Sequence, residues 1–144
     1  MSAIYETDKL LAEYLLFHYG SRDEILPATR SWPAGMSDAL DFPCRTVSHF
    51  SQGLVARGLD LGCAVGRSTF EMSRTCESVT GIDFSHAFIH AAESLRRGDV
   101  ISYTRREEAS LVTNLDARAP AGFDACRLEF LQGDAMNLPP ELGS

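Results

Sequence analysis

Lysine is nearly missing from this sequence. Lys9 is the only one, the other basic side chains are arginines, and basic residues number 13 against 20 acidic ones. The formal charge of −7 disfavours nucleic acid or an anionic membrane as the main partner, because both attract a basic surface. The arginine bias carries no functional reading, since genome composition alone can produce it. No apolar run approaches the roughly 20 residues that span a bilayer. The start, Met1-Ser2-Ala3-Ile4-Tyr5-Glu6-Thr7-Asp8, lacks the basic stretch and apolar block of a secretory signal. Cys44, Cys63, Cys76 and Cys126 form no Cys-x-x-Cys pair and no zinc-like cluster with histidine, and in a cytosolic chain they stay reduced. These absences predict a soluble, cytoplasmic protein with no metal site.

What is present suits one packed domain: 144 residues, 44% of them hydrophobic. Residues 7–19 predict an amphipathic helix, with Thr7 as N-cap, Leu11, Tyr14, Leu15 and His18 on one face, and Gly20 as the stop. Residues 21–43, with Pro27, Pro33, Gly35 and Pro43, read as a long irregular connection, and a short helix is expected over 44–52. Ala56 to Gly62 reads as a strand entering a glycine turn, Arg67 to Thr75 as a helix with Phe70 inward, and Ser78 to Asp83 as a second strand. Ser85 caps an expected helix over 86–97, with Phe88, Ala91, Ala92 and Leu95 on its inner face and Gly98 at its end. Residues 127–131 alternate as a third strand. Between these lies an insertion read as a β-hairpin, 101–105 against 111–115, with Glu107-Glu108-Ala109 between. Strand–helix–strand–helix–strand in this order predicts a parallel α/β sheet.

Chemistry concentrates in Leu59-Asp60-Leu61-Gly62-Cys63-Ala64-Val65-Gly66-Arg67-Ser68. A glycine turn between a parallel strand and a helix brings backbone N–H groups and a positive helix end to the C-terminal edge of a sheet, where ligands of open α/β folds bind. Asp83 follows 21 residues after Gly62, at the end of the second strand, where a carboxylate can accept both hydroxyls of a ribose. A dinucleotide fingerprint needs glycine at the first, third and sixth positions, and Ala64 and Arg67 occupy two of them. The spacing Asp-x-Gly-x-Gly-x-Gly fits better: Asp60, Gly62 and Gly66 match, and Ala64 departs at the middle glycine. An acid two residues before the first glycine suits an ammonium and a sulfonium better than a pyrophosphate.

That spacing resembles the nucleotide loop of class I S-adenosylmethionine-dependent methyltransferases, and Gly133-Asp134-Ala135 resembles the segment that meets adenine in the same family. Tyr5-Glu6-Thr7-Asp8-Lys9-Leu10-Leu11, Leu16-Phe17-His18-Tyr19-Gly20, Asp41-Phe42-Pro43, Leu59 through Ser68, Gly81-Ile82-Asp83-Phe84-Ser85 and Gln132-Gly133-Asp134-Ala135 together resemble the 4-mercaptohistidine N-methyltransferase, the C-terminal domain of the ovothiol-biosynthesis enzyme. The sulfur-inserting iron domain of the fused enzymes has no counterpart in these residues.

The resemblance implies a Rossmann-like parallel sheet and methyl transfer from S-adenosylmethionine to an imidazole nitrogen of a thiolated histidine, a small-molecule acceptor. It implies that the backbone of Gly62, Cys63, Ala64 and Gly66 holds the methionine part of the cofactor, that Asp60 orients its ammonium, and that Asp83 binds the ribose with Phe84 beside the adenine. Asp134 would accept from the adenine amino group and the Ala135 N–H would reach a ring nitrogen. Tyr14 and Tyr19 are candidates for the substrate side and for cation–π contact with the sulfonium if the first helix lies over the cofactor, and packing residues otherwise. No residue reads as a catalytic base.

Other readings stand beside these. Asp134 can cap a following helix. Cys63 near a helix N-terminus could have a lowered thiol pKa, though a small buried filler suits it better. His86 and His90 are four apart, but Ala87 replaces the glutamate of the hydrolytic zinc motif, which favours a solvated helix face. The alternatives for the whole chain are a non-enzymatic nucleotide-binding or interaction module, a methyltransferase for another small molecule, and nicotinamide binding. Residues 1–52 read as an N-terminal cover and 53–144 as the cofactor-binding half of a methyltransferase domain. A seven-stranded sheet of this family needs on the order of 200 residues. Continuation past Ser144 into a fourth strand is therefore expected, with the first strand at an open edge here and no turnover from these residues alone.

Overall fold

A computed structural model describes residues 3–50, 53–107 and 111–143. Its helices are α1 (Asp8–Tyr19), α2 (Arg22–Ile25), α3 (Phe42–Ser48), α4 (Arg67–Met72) and α5 (His86–Arg96), and its strands are β1 (Val55–Leu61), β2 (Cys76–Asp83), β3 (Ile101–Arg106), β4 (Val112–Ala117) and β5 (Leu128–Gln132). β1, β2 and β5 form a parallel sheet in the order β1-β2-β5, and β3 and β4 an antiparallel hairpin. This is the α/β, Rossmann-like architecture expected, with α4 joining β1 to β2, and α5 and the hairpin joining β2 to β5. Leu61 lies opposite Ile82, and Ile82 opposite Leu131, so all three strands reach their C-terminal ends at one level. The connections leaving that edge build the site.

One sheet face carries the core. Phe70 and Met72 of α4, Val79 of β2, Phe88, Ala91, Ala92 and Leu95 of α5, and Leu128 and Phe130 of β5 are buried together with Leu15 of α1. Each large apolar side chain removed from water contributes about 1.5–3 kcal/mol. Close approach is secured by Gly81, where a Cβ would lie 2.8 Å from Thr69 Oγ1 and 2.9 Å from Phe130 Cδ1. On the other face Leu59 and Leu61 remain exposed, and β1 is an edge strand.

Local signals account for the helix boundaries. Thr7 accepts the Leu10 N–H at 3.3 Å to start α1, and Ser85 Oγ accepts the Phe88 N–H at 3.1 Å to start α5. Beyond α5, Gly98 takes the left-handed conformation with φ of 90°. Tyr103 of β3 and Ala117 of β4 are buried where the hairpin meets α1.

The structure corrects several boundaries. The 21–43 stretch is not wholly irregular: Ser21 and Glu24 form a reciprocal capping box that starts α2, and Met36–Ala39 is a 3-10 turn. α3 begins at Phe42, two residues ahead of the expected start, because Pro43 suits a first helical turn. α4 stops at Met72, three residues early, while β1 and β2 begin earlier than their apolar alternation suggests. On α1 only Leu15 is fully buried. Ser51 and Gln52 of the expected 44–52 helix, Glu108 and Ala109 of the hairpin turn, and Ser144 lie outside the described residues.

Candidate functional site

The connections after β1, β2 and β5 meet around a cleft of about 340 Å³. Gly62 and Ala64 come from the first, Asp83, Phe84 and Ser85 from the second, and Gly133, Asp134, Ala135 and Met136 from the third. Ile82 also lines it, and Tyr5, Tyr14 and Phe88 form an aromatic side wall. That volume falls within the ordinary range of small-molecule pockets.

The glycine turn is internally bonded. Ile82 O accepts the Gly62 N–H at 2.8 Å and the Cys63 N–H at 3.0 Å, and Cys63 O accepts the Gly66 N–H at 2.8 Å. Ala64 N–H donates to Asp83 Oδ2 at 2.9 Å. The amides expected to hold the methionine part therefore already have partners within the chain. What the turn offers a ligand is close approach: at Gly62, with φ of 73°, a Cβ would meet no atom within 4 Å. Gly66 has a different role. Its φ is 88°, and a Cβ there would lie 2.7 Å from Phe130 Cζ and 3.1 Å from Ala92 Cβ, so its lack of a side chain lets the turn settle on the core.

Asp83 is the hub of the site. Its Oδ1 accepts the Ser85 N–H at 2.9 Å while Oδ2 takes Ala64, and its carbonyl accepts the Gly133 N–H at 2.9 Å. One carboxylate thus ties the β1 and β2 connections together, and the backbone of the same residue ties in the third. A carboxylate has about four acceptor sites, so after two N–H bonds Asp83 keeps capacity for a diol. Asp134 uses Oδ1 to accept the Met136 N–H at 2.8 Å, closing a turn where a helix start was the alternative. Phe84 is 43% exposed at the rim, with its carbonyl held by Gln132 Nε2 at 2.9 Å.

Asp60, Cys63 and Gly66 stand behind the cleft and are not among its lining residues. Asp60 Oδ2 accepts the Thr69 hydroxyl at 2.7 Å. Burial raises the Asp60 pKa, the Thr69 bond opposes the rise, and the nearby Asp83 charge adds to it. Cys63 is 3% exposed, and burial pushes its thiol pKa up, with Asp60 and Asp83 adding to the effect. The lowered pKa considered from its place near a helix N-terminus is overturned, because desolvation and two carboxylates outweigh the helix end.

The two tyrosines separate. Tyr14 lies on the cleft wall, its ring centroid 4.6 Å from that of Phe88. Tyr19 faces the core side of the glycine turn, donating its hydroxyl to Val65 O at 2.6 Å under the Arg67 guanidinium. Tyr5, Ser85, Phe88, Ile82, Gly133 and Met136 also line the cleft, though none was singled out as a site residue. Tyr5 falls within a segment that carried the resemblance, and Phe88 within the inner face of its helix. His86 and His90 are both exposed on α5. Among the described residues no helix is long and apolar enough to cross a membrane.

The profile of the family described as "Methyltransferase domain" matches residues 59–144, 86 of the 144 residues. The chain belongs to this methyltransferase domain family. No curated protein sequence matches it. Similar solved structures include the YcgJ protein from Bacillus subtilis, 18% identical with a TM-score of 0.46, which covers 67% of this chain and 31% of that one. Another is a Haemonchus contortus phosphoethanolamine N-methyltransferase 1 in complex with phosphoethanolamine and S-adenosylhomocysteine, 16% identical with a TM-score of 0.44, covering 96% of this chain and 23% of that one. The chain spans less than a third of the length of either.

Proposed function

We propose that this chain binds S-adenosylmethionine and is the cofactor-binding part of an N-methyltransferase acting on the imidazole of a thiolated histidine. One observation carries the cofactor reading: the segments around Gly62, Asp83 and Asp134, separated in sequence, line one cleft at the C-terminal edge of the parallel sheet. The cleft fits a nucleoside-bearing ligand. Asp83 has spare acceptor capacity for a ribose diol, Asp134 and Ala135 stand where an adenine edge could be read, and open space over Gly62 allows close approach. When bound, S-adenosylmethionine supplies a methyl group activated on a sulfonium. Asp60, bonded to Thr69 behind the glycine turn, would orient the cofactor's ammonium through water and not by direct contact, and Tyr14 with Phe88 gives the cleft an aromatic wall that excludes water. Residues 1–52 serve as the cover, and 53–144 as the cofactor half.

The acceptor assignment rests on the six sequence segments that resemble the 4-mercaptohistidine enzyme, together with membership of the methyltransferase domain family. Calorimetry on the intact protein tests the cofactor: S-adenosylhomocysteine binds, and Asp83→Ala abolishes the heat. No binding, or tighter binding of NAD, would overturn the assignment. Methyl transfer by the intact protein to 4-mercaptohistidine, and not to histidine, tests the acceptor, and the reverse preference removes it.

A further inference from the structure

The N-terminal strap is tied to the cleft by contacts that the glycine turn and the strand-end carboxylates do not need. Residues Ala3–Glu6 form a 3-10 turn ahead of α1. The Glu6 carboxylate straddles the first turn of α5, Oε1 accepting the His86 N–H at 3.0 Å and Oε2 the Ala87 N–H at 3.1 Å. Alongside it, Ser85 donates its hydroxyl to the Tyr5 carbonyl at 3.0 Å. Ser85 is 1% exposed and gives its own N–H to Asp83. Held in this way, Tyr5 sets its ring edge-on to Phe88, with centroids 6.3 Å apart, and joins the cleft wall beside Tyr14.

Neither neighbouring helix needs Glu6 in order to start. Ser85 already caps α5 and Thr7 caps α1. Glu6 satisfies two more of the orphan amides at the head of α5, from 80 and 81 residues away in sequence. The distinct effect of this bridge is the location of Tyr5.

We infer that Glu6 is a positioning residue of the cleft and Tyr5 a contact residue for its ligand, so that docking of the strap and occupancy of the cleft are coupled. This rests on the reading of the cleft as an S-adenosylmethionine site. The coupling is reciprocal: a bound ligand holds the strap down, and releasing the strap weakens the ligand by the same factor.

Lys9 supplies the probe. It is the sole lysine of the sequence, near the start of α1 just beyond the strap, with its side chain 77% exposed. Cleavage of the Lys9–Leu10 bond by a lysine-specific protease, followed as the appearance of a new N-terminus at Leu10, requires the strap and the first turn of α1 to open. In the intact protein, S-adenosylhomocysteine is expected to slow this cleavage by at least about 5-fold. Glu6→Ala speeds cleavage without ligand, weakens S-adenosylhomocysteine by at least about 5-fold and removes the protection. Glu6→Gln, which keeps one acceptor oxygen, falls between, and both variants keep a single cooperative unfolding transition with a midpoint lowered in the same order. Wild-type binding with unchanged affinity and protection in Glu6→Ala overturns the strap inference alone. Absence of wild-type binding overturns the cofactor reading and this inference with it.

Discussion

Asp83 Oδ2 accepts the Ala64 N–H at 2.9 Å, and through that bond a side chain at the end of β2 fixes the non-glycine residue that holds a φ of 49° in the turn after β1. An alanine in the left-handed region costs roughly 1–2 kcal/mol, so the charge-assisted bond offsets a strain in the turn's own backbone. The same carboxylate also takes Ser85 N–H, which makes Asp83 structural before any ligand arrives.

Asp83→Asn is therefore expected to destabilise the ligand-free protein. An amide keeps one acceptor oxygen and turns its NH2 toward the second N–H, leaving a donor unpaired at a cost of roughly 1–3 kcal/mol. Urea denaturation without ligand measures this, and a wild-type midpoint in the variant contradicts it.

The two matched glycines of the turn should respond differently to alanine. Gly62→Ala meets open space and bears only left-handed strain, roughly 1–2 kcal/mol, while its new methyl group enters the cleft. Gly66→Ala adds a clash with Phe130 and Ala92, for a total of roughly 2–5 kcal/mol. Denaturation midpoints should rank Gly66→Ala below Gly62→Ala, and calorimetry should show Gly62→Ala losing S-adenosylhomocysteine affinity while still folded.

Tyr19→Phe and Tyr14→Ala separate packing from site. Removing the Tyr19 hydroxyl leaves Val65 O without its partner, a loss of about 1–2 kcal/mol in stability with ligand affinity retained. Tyr14→Ala removes part of the cleft wall, and ligand affinity falls. Equal affinity in both variants would contradict this division.

The reason sequence periodicity offers both tyrosines is geometric. Five positions on a helix turn through roughly 140° beyond a full revolution, so one surface of α1 cannot present both to the same neighbour. The pattern on α5 is unambiguous by comparison: Ser85 as cap and Phe88, Ala91, Ala92 and Leu95 on one face are local features, and all four inner positions are buried. The glycine turn with Asp60 and Asp83 also reads from spacing, and the sheet sets Asp83 against the turn. The internal use of its amides does not read from spacing, since Ile82 O and Asp83 become their partners only when β1 and β2 align. The α2 capping box was readable in Ser21-Arg22-Asp23-Glu24, but the surrounding prolines suggested loop. Tyr5 and Glu6 were hidden by distance, because a contact across 80 residues leaves no periodic trace.

Stability should fall on mild acidification through His18. Burial pushes its pKa down from 6.5 to about 4, the Arg67 charge adds to this, and Nδ1 is buried without a hydrogen-bond partner among the described residues. Between those values the unfolded chain takes up a proton that the folded chain refuses. The contribution is full above about pH 6.5 and is lost as pH falls toward about 4, up to roughly 2–3 kcal/mol. Denaturation at about pH 7 and about pH 4.5 measures the slope, and His18→Phe should reduce it.

β2 is the middle strand, and its last two residues hold the connections on both sides: Ile82 O takes Gly62 and Cys63, and Asp83 O takes Gly133. The amide protons of these three residues exchange with solvent when a connection lifts off the central strand, so their protection reports how firmly the two connections are docked on β2. Met136, at the opposite lip, is 92% exposed. A ligand in the cleft would therefore rest between strand ends tied down on both sides and an exposed side chain of the third connection.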